Sequence, residues 1–410
     1  MNIRKLLILA GLAGLAFSSC VPKEDPLPAP DDGTLLLAED GKSSYSLVYS
    51  SSKTNAEGFN AFFKDKAGVS LPLVSDSSAP SDFEIIVGQC SRPESAEVQK
   101  DLDGTFGYSA RVVGRKLVIA ASDVTWAAFA LRAVVKEIKN SCIDGRKIAV
   151  PKDFKVQQLM DDPQMIARLI RQGYDFTLSP VLVLTHPPVE DIYVAQGAAS
   201  DGEFFYFVLR NSGDTKAQVY KYRIKTKALV AESKVFNGGH CNDLTYDAGR
   251  KQLILAHGQS QGQILTPIDA ATLEVLPDIH IPVGSGAITY NASRDCYAIS
   301  QGGSTFYVTD SDFKVTLNTT RTDKTGYTAQ GMGSDDSYVY FPMSKSKTDN
   351  VLVVYDWKGK FVTTLKINLA VESESMFYAA GRYYVAFYSG SKVGMELYEI
   401  KPVHYYTYVK

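Results

Sequence analysis

Polar side chains that can form hydrogen bonds occur at equivalent positions of a repeat in the sequence. Four of the five equivalent positions hold an amide or a carboxylate, and the fifth holds Gly286. The four are Gln196, Asn242, Gln330 and Glu374. Such groups suit hydroxyl-rich ligands, because each hydroxyl both donates and accepts a hydrogen bond. They would also suit a structural calcium ion or a column of ordered water. With two residues just upstream, the adjacent Asp243 and one aromatic ring, the predicted ligand-binding residues are Gln196, His240, Asn242, Asp243, Tyr327, Gln330, Glu372 and Glu374.

Acidic residues in the same region leave a catalytic alternative open. A glycoside hydrolase needs two carboxylates that face each other across the scissile bond, one protonated and one ionised. The candidates are Asp191, Asp243 and Glu374, with Glu372 beside them. The third repeat offers Gly284, Ser285, Gly286 and Ala287 and no acid, which argues against hydrolysis. His240 could serve a polysaccharide lyase as a base, although a lone histidine in a turn is more often structural.

The repeat itself predicts the architecture. Its second residues are Gly197, Asp243, Ala287, Gly331 and Ser375, which are 46, 44, 44 and 44 residues apart. Each unit continues with a turn and then with short runs of alternating aromatic and β-branched residues, which is typical of strands. A period of 40 to 50 residues with several strands per unit is typical of β-propeller blades. The sequence therefore predicts an all-β five-bladed propeller whose leading strand ends form a channel mouth.

One strand at a chain terminus must complete the last blade. The strand-like residues 181–185 precede the first unit without a blade of their own, and residues 405–409 follow the fifth unit. We favour residues 181–185 as the closing strand, with residues 405–409 as the competitor.

Residues 33–155 have a different sequence pattern, in which strand-like and helical segments alternate. Asp123 can cap a helix whose apolar residues, from Trp126 to Ile138, recur at helical spacing. These features predict an α+β sandwich domain, a linker helix within residues 156–178 and the propeller over residues 179–410.

The chain begins with a targeting segment. Arg4 and Lys5 precede an apolar run that ends before Cys20, a pattern typical of a secretory signal over residues 1–19. Small residues before Cys20 resemble a bacterial lipobox, so we predict that Cys20 carries lipid and that residues 20–32 form a tether. Lys23, Glu24 and Asp25 resemble the surface-export signal of Bacteroidetes lipoproteins. This resemblance implies an outer-membrane lipoprotein exposed on the cell surface, with a periplasm-facing location as the alternative.

The charge and cysteine content of the chain limit the classes of partner and cofactor that it can be expected to bind. The formal net charge is −2, with both signs spread through the chain, so nothing points to nucleic acid or to contact with a membrane other than through lipid on Cys20. The remaining cysteines, Cys90, Cys142, Cys241 and Cys296, follow no CxxC spacing, so we predict no metal site built on them. Export permits disulfides, with Cys90 and Cys142 as the easier pair, and free buried thiols are the equal alternative.

Two family resemblances follow from longer motifs. Residues 83–95, FEIIVGQCSRPES, and residues 107–138 resemble the noncatalytic N-terminal domain that precedes the barrel of many hexosaminidases and glucuronidases. That resemblance implies an association with carbohydrate-active proteins. Residues 239–247, GHCNDLTYD, and residues 372–378, ESESMFY, resemble five-bladed propellers of the helveticin and phage receptor-binding type. That second resemblance implies binding of cell-envelope polymers.

Aromatic rings would complete a sugar site, because a ring packs on the apolar face of a pyranose. The candidates nearest the channel mouth are Tyr193, Tyr327, Phe377 and Tyr378. Together these patterns predict a lipid-anchored surface protein that binds a glycan or envelope polymer. A glycoside hydrolase or lyase and a scaffold with a protein partner on the blade rims remain the alternatives.

Overall fold

The computed structural model describes residues 33–161, 165–258, 262–323 and 326–410. The predicted signal segment, Cys20 and the tether up to residue 32 lie outside the described residues. Strands occupy 48% of the chain and helices 14%, so the fold is mostly β with several sheets. Among the described residues, no helix combines the length and the apolar character needed to cross a membrane.

The first domain is built on two sheets. The larger has six strands in the order β3-β2-β4-β6-β5-β9, and the smaller has three in the order β1-β8-β7. Strands β2, β3, β4 and β6 run parallel, and β5 and β9 are antiparallel additions at one side. The strands are β1 (Thr34–Glu39), β2 (Ser46–Tyr49), β3 (Leu73–Ser75), β4 (Glu84–Val87), β5 (Phe106–Val113), β6 (Lys116–Ala121), β7 (Ile143–Asp144), β8 (Lys147–Pro151) and β9 (Lys155–Met160).

Helices cover both faces of the larger sheet. Helix α1 (Lys53–Ala67) is capped by Ser52 and ends at Gly68, whose φ of 74° needs the left-handed region that glycine tolerates. Helix α3 (Val124–Ser141) is capped by Asp123, which accepts from two backbone N–H groups. Both helices share one core with the sheet, and α2 (Pro93–Gln99) packs on the other face through Val98. A short 3-10 helix, Lys100–Leu102, extends α2.

This domain follows the predicted order of elements, with one shift at its end. Strand β9 pairs with β5 over its whole length, so the sheet continues to Met160 rather than stopping at residue 155. Helix α4 (Met165–Arg171) lies within the predicted linker.

Residues 177–403 form the β part of the chain. Its strands are β10 (Thr177–His186), β11 (Ile192–Ser200), β12 (Phe204–Asn211), β13 (Ala217–Arg223), β14 (Leu229–Glu232), β15 (Asp243–Asp247), β16 (Gln252–Ala256), β17 (Ile264–Asp269), β18 (Ile279–His280), β19 (Ala287–Asn291), β20 (Cys296–Gly302), β21 (Thr305–Asp310), β22 (Val315–Thr320), β23 (Thr328–Ala329), β24 (Gly333–Ser334), β25 (Tyr338–Lys345), β26 (Asp349–Asp356), β27 (Phe361–Ile367), β28 (Glu372–Ala379), β29 (Arg382–Tyr388) and β30 (Met395–Val403).

Three consecutive sheets have the same four-stranded antiparallel order: β11 to β14, β15 to β18 and β19 to β22. The remaining strands form one larger sheet that contains β23 to β27 on one side and β28, β29, β30 and β10 on the other. Within the described residues, one backbone pairing joins the two sides, that of Leu178 of β10 with Ile367 of β27, in parallel. The two sides also share a core and contact each other where β28 lies against β24 and β25.

Strand β10 pairs with β30 from Thr177 to His186, whereas residues 404–410 form no strand. The pairing gives the last unit a strand from the start of the β part, as the closing-strand interpretation expects. The first strands of the units contact one another in sequence, β11 with β15, β15 with β19, β19 with β24 and β24 with β28, and β28 contacts β11. The contacts therefore form a closed ring.

The chain's end returns to the first domain. Tyr406 is buried in the same core as α1 and α3, and its backbone N–H donates to the side chain of Asn55. The hydroxyl of Tyr408 donates to Asp65 at 2.8 Å, and Thr125 donates to the carbonyl of Pro402 at 2.8 Å. These bonds connect the two parts of the molecule over more than 270 residues of sequence.

The four cysteines of the described chain are free. The suggested pairing of Cys90 with Cys142 is therefore wrong: Cys142 is buried after α3, and Cys90 donates a weak bond to the carbonyl of Val87. Burial raises the pKa of the Cys90 thiol to about 11, which keeps it protonated and unreactive at neutral pH.

Candidate functional site

The five equivalent second residues of the repeat lie where the ring of first strands closes. Four of them have a small side chain or none: Gly197, Ala287, Gly331 and Ser375. The fifth is Asp243, which has no exposed surface. One carboxylate therefore fills the centre of the ring.

The carboxylate of Asp243 accepts four hydrogen bonds from four different units. One oxygen accepts from its neighbour Leu244 N at 3.0 Å and from Ser375 Oγ at 2.6 Å. The other accepts from Ile288 N at 3.0 Å and from Met332 N at 2.8 Å. Burial raises the pKa of Asp243 to about 7, although the four donors act in the opposite direction.

Glycines allow the strands to come this close. A Cβ added to Gly197 would lie 2.4 Å from the backbone nitrogen of Leu244, and one added to Gly331 would lie 2.5 Å from the carbonyl oxygen of Glu374. Both distances are shorter than any side chain permits, and the neighbouring atoms belong to backbone that cannot move aside. The narrow centre of the ring thus depends on these two glycines.

A second polar layer lies one residue earlier in the repeat. Gln196 Nε2 is 3.5 Å from Glu374 Oε2, and both side chains are buried. Gln330 Nε2 donates to Glu372 Oε1 at 3.1 Å, and the other oxygen of Glu372 pairs with Lys347 at 3.2 Å. Four of the predicted site residues therefore make two amide–carboxylate pairs with each other.

Glu374 is the unusual member of this layer. Burial, and after it the negative charge of Glu372, raises the pKa of Glu374 well above its ordinary value. The oxygen of the neighbouring Gln196 amide is also buried and has no hydrogen-bond partner within the described part of the chain. A protonated Glu374 avoids the cost of an uncompensated buried charge.

An open cavity of about 560 Å³ lies above this layer, at the leading ends of the first strands. We call it the leading-end cavity. Four predicted ligand-binding residues line it: His240, Asn242, Tyr327 and Gln330. Its other lining residues are Asp214, Gly258, Gly286, Ala287, Ser300, Gly302, Gly303, Arg321, Thr328 and Ala329.

The amides that line the leading-end cavity have used their donors. Asn242 Nδ2 donates to the carbonyls of Gly286 at 2.6 Å and Gln330 at 2.7 Å. Gln330 Nε2 donates to Ser344 and Glu372, so its own oxygen is what it can offer a ligand. The two amides are thus acceptors for a ligand whose groups can donate, as hydroxyls do.

Charges around the leading-end cavity are already balanced by protein partners. Asp214 lies 2.6 Å from Arg210 and 3.2 Å from His240 Nδ1. Arg321 lies 3.9 Å from Asp323 and donates to the carbonyl of Gly303 at 2.9 Å. A ligand that fits this environment need carry no net charge.

The predicted catalytic carboxylates do not face one cleft. Asp191 is half-exposed and pairs with Lys216 on the surface, at 3.1 Å. Asp243 is fully enclosed, and its oxygens already accept from backbone and serine donors, so it does not line the leading-end cavity. That it contacts a ligand or acts in catalysis stays a prediction. Glu374 keeps only Glu372 as a carboxylate neighbour, and Glu372 is held by Lys347 and Gln330.

Three of the four aromatic candidates do not line the leading-end cavity. Tyr193 is absent from its wall, and Phe377 and Tyr378 line a different cavity at the opposite, trailing ends of the first strands. They stand two and three residues after Ser375, which is about 7 to 10 Å further along the strand. Tyr327 is at the leading end and donates its hydroxyl to Asp349. Within the described ranges, no group of three or more His, Cys, Asp or Glu side chains is arranged to hold a metal ion.

Sequence reasoning missed three polar residues of the leading-end cavity: Asp214, Ser300 and Arg321. Each belongs to a turn or to a strand other than the first of its unit, so it has no counterpart in the aligned repeat positions. An alignment extended to the turns after the second strands would have singled out Asp214.

No protein-family model and no curated protein matches this chain. Among solved structures, hydrazine synthase of Kuenenia stuttgartiensis aligns with a TM-score of 0.33 and 12% identity, over 50% of this chain and 57% of that chain. A Bacteroides fragilis NCTC 9343 protein described as exported aligns with a TM-score of 0.33 and 9% identity, over 55% and 95%. Apo AztD of Citrobacter koseri aligns with a TM-score of 0.28 and 12% identity, over 44% and 49%. Similarities this low assign neither a fold nor an activity to this chain.

Proposed function

We propose that this protein binds a neutral, hydroxyl-rich ligand, a glycan or an envelope polymer, in the leading-end cavity. One observation carries the proposal. The side-chain N–H groups of Asn242 and Gln330 donate to other protein groups, so these two amides line the open cavity as acceptors. His240 and Tyr327 add an imidazole and an aromatic ring to the same wall. Sugar hydroxyls and pyranose faces match such a wall.

The supporting architecture in this proposal is a five-bladed propeller. Its blades would be the three four-stranded sheets and the two halves of the larger sheet. The closed ring of contacts among the first strands and the pairing of β10 with β30 support this count. Asp243 would then fill the channel and leave its leading end as a blind cavity.

The proposed location is the outer face of a bacterial outer membrane, with lipid on Cys20 as the anchor. The support comes from the sequence alone, from the apolar run before Cys20 and the Lys23-Glu24-Asp25 segment after it. A polymer of the cell envelope or of the surroundings would meet the cavity there.

Binding is favoured over hydrolysis by the state of the carboxylates. Hydrolysis requires one ionised and one protonated carboxylate on opposite sides of the substrate. Of the three catalytic candidates, Asp191 is on the surface, Asp243 is enclosed and Glu374 is buried below the cavity.

The test is a glycan array probed with the purified protein, residues 21–410. We expect His240→Ala and Gln330→Ala to bind at least about tenfold more weakly than wild type, because each removes a hydrogen-bonding group from the wall. His280→Ala is the matched control, since His280 is exposed on β18 and does not line the cavity.

Equal binding by all four proteins would place the ligand elsewhere and refute the proposed site. No binding by wild type with an intact thermal unfolding transition would refute the glycan proposal and favour a scaffold for a protein partner. Cleavage of a bound glycan would restore the hydrolase alternative.

A further inference from the structure

The trailing ends of the first strands surround a second cavity, of about 400 Å³. We call it the trailing-end cavity. All five units contribute to it, through residues 199–202, 245, 246, 248, 289–293, 334–336 and 377–380. The leading-end cavity, by contrast, has no lining residue from the fifth unit. The two cavities lie at opposite ends of the same strands, and Asp243 fills the ring between them.

The wall of the trailing-end cavity repeats one position of the sequence pattern. Three residues after each of the five second residues stand Ser200, Tyr246, Tyr290, Ser334 and Tyr378. All five line the cavity, and so does Phe377. Four aromatic rings therefore surround a small volume whose remaining lining is mostly serine, threonine, asparagine and aspartate.

The aromatic groups are held in position from behind. The hydroxyl of Tyr290 donates to Asp295 at 2.8 Å, and its backbone N–H donates to Thr245 at 2.9 Å. Phe377 stacks on Tyr384 with ring centroids 5.1 Å apart, and Tyr378 contacts Tyr383 at 4.8 Å. The hydroxyl of Tyr246 has no hydrogen-bond partner among the described residues, which leaves it for a ligand.

Every charged residue that lines the trailing-end cavity within the described ranges is acidic: Asp201, Asp335 and Asp336. Asp201 is fixed, since one oxygen accepts from the backbone N–H groups of Glu203 and Phe204 and the other accepts from the hydroxyl of Tyr206. Asp335 accepts in the same way from Ser337, Tyr338 and Tyr340 and also from the hydroxyl of Tyr383, and burial raises its pKa.

The nearest arginines are directed to other partners. Arg294 donates to the backbone carbonyl of Asp336 at 2.7 Å and lies over the ring of Trp357. Arg250 donates to the carbonyl of Ser311 at 2.6 Å and lies 3.3 Å from Asp247. Neither lines the cavity, so the charged residues of its wall are the three aspartates.

We propose that the trailing-end cavity is a second binding site, which takes a small organic cation such as a quaternary ammonium group or a protonated amino sugar. Aromatic faces attract such cations through their negative quadrupole, and carboxylates add attraction at longer range. The site is independent of the neutral ligand proposed for the leading-end cavity, which has balanced charges and faces the other way.

The experiment is calorimetric titration of the purified protein with choline, glucosamine and N-acetylglucosamine at pH 7 and low salt. We expect saturable binding of at least one of the two cations, and binding of N-acetylglucosamine at least about tenfold weaker than that of glucosamine, because acetylation removes the charge. Binding of choline alone would assign the site to quaternary ammonium groups, and binding of glucosamine alone would assign it to amino sugars.

Two variants test the location. Tyr246→Ala removes one ring of the wall, and Asp336→Asn removes an exposed carboxylate with little change in shape. We expect each to weaken cation binding at least about fivefold. His240→Ala, in the leading-end cavity, is the matched control and should leave cation binding unchanged.

The proposal is overturned by any of three results. The first is no binding of either cation by folded wild type. The second is equal affinity for glucosamine and its acetylated form. The third is unchanged cation binding by Asp336→Asn and by a folded Tyr246→Ala. Because His240→Ala affects only the leading end, failure of the glycan proposal would not be mistaken for failure of this one.

Discussion

At the scale of single residues, the carboxylates of this protein differ mainly in the number of donors around them. Asp243 accepts four hydrogen bonds, three from backbone N–H groups and one from Ser375. Asp191 has only an exposed lysine partner. The sequence offered both as catalytic candidates. Asp243 joins four units of the structure, whereas Asp191 contributes little to stability.

We predict that Asp243→Ala lowers the free energy of unfolding by about 3 to 5 kcal/mol, because it leaves buried backbone donors without an acceptor. Asp191→Ala should change it by less than about 0.5 kcal/mol, because exposed ion pairs contribute little. Urea denaturation at pH 6, below the raised pKa of Asp243, measures both. Similar losses for the two variants would contradict a structural role for Asp243.

Glu374 gives a prediction for pH. Its pKa is raised in the folded state, so the folded protein binds the proton more tightly than the unfolded chain. The stability from this group is complete below the ordinary pKa of about 4.5 and is lost as the pH rises through the raised value. We therefore expect Glu374→Gln to be more stable than wild type at pH 8 and close to wild type at pH 4.5.

Denaturation of both proteins at these two pH values measures the difference. A gap of the same size at both would show that Glu374 does not titrate on unfolding. Glu203→Gln is the control: it removes an exposed carboxylate paired with Arg223, so it should differ from wild type by the same amount at both pH values.

The sequence was informative about which residues share a layer but not about how their hydrogen bonds are satisfied. Repeat alignment brought Gln196, Gln330 and Glu374 to equivalent positions, and the structure pairs them through Glu372 and one another. It could not show that Asp243 is enclosed, because three of its donors are backbone N–H groups, which every residue has. Side-chain type alone does not reveal such partners.

At the scale of elements, the close approach of the first strands sets the geometry of both cavities. Gly197 and Gly331 face backbone atoms of neighbouring units at distances that exclude even a methyl group. A larger side chain would have to push one unit outward, and the hydrogen bonds to Asp243 would lengthen with it.

We predict that Gly197→Ala and Gly331→Ala each destabilise the protein by about 2 to 3 kcal/mol through overpacking. Gly213→Ala is the matched control, because its added Cβ would meet its nearest atoms at 3.7 and 3.9 Å, an ordinary contact distance. Thermal unfolding distinguishes them. Unchanged stability in both buried-glycine variants would mean that the ring of first strands can expand at no cost.

Strand positions were predictable where apolar and polar side chains alternate. They were less predictable where a strand is identified only by pairing with a partner far away in the sequence. The alternating runs of each unit indicated β12, β16 and β20 at the places where the structure has them. Strand β9 was assigned to the linker, because its exposed polar residues do not mark it as part of a sheet. Only its partner β5 makes it a strand of the first domain.

At the scale of the whole molecule, the two parts share a core. Tyr406 is 4% exposed within the first domain, although it follows the last strand of the β part, and its neighbour Tyr405 is 43% exposed. Arg132 of α3 lies over the ring of Tyr406. The last residues therefore act as a strap that fixes the first domain to the sheets.

We predict that Tyr406→Ala lowers the free energy of unfolding of the first domain by about 3 to 5 kcal/mol, as expected for loss of a large buried ring. Tyr405→Ala should have little effect. Hydrogen exchange of amides in α1 and α3 measures the change, and equal protection in the two variants would show that the strap does not stabilise this domain.

The sequence could not place this strap. Residues 405–409 have the alternating pattern of a strand, so they competed with residues 181–185 for the edge of the last sheet. The choice was decided by contacts such as that between Tyr406 and Asn55, which are 351 positions apart. Local pattern carries no information about a partner at that distance.

The strap also orders events during synthesis. A ribosome completes residues 33–160 long before it reaches Tyr406, so the nascent first domain lacks part of its own core until the last residues have emerged. Closure of the ring of sheets also requires the last strand, because β10 pairs with β30. The core of the first domain is therefore incomplete until Tyr406 has been synthesised.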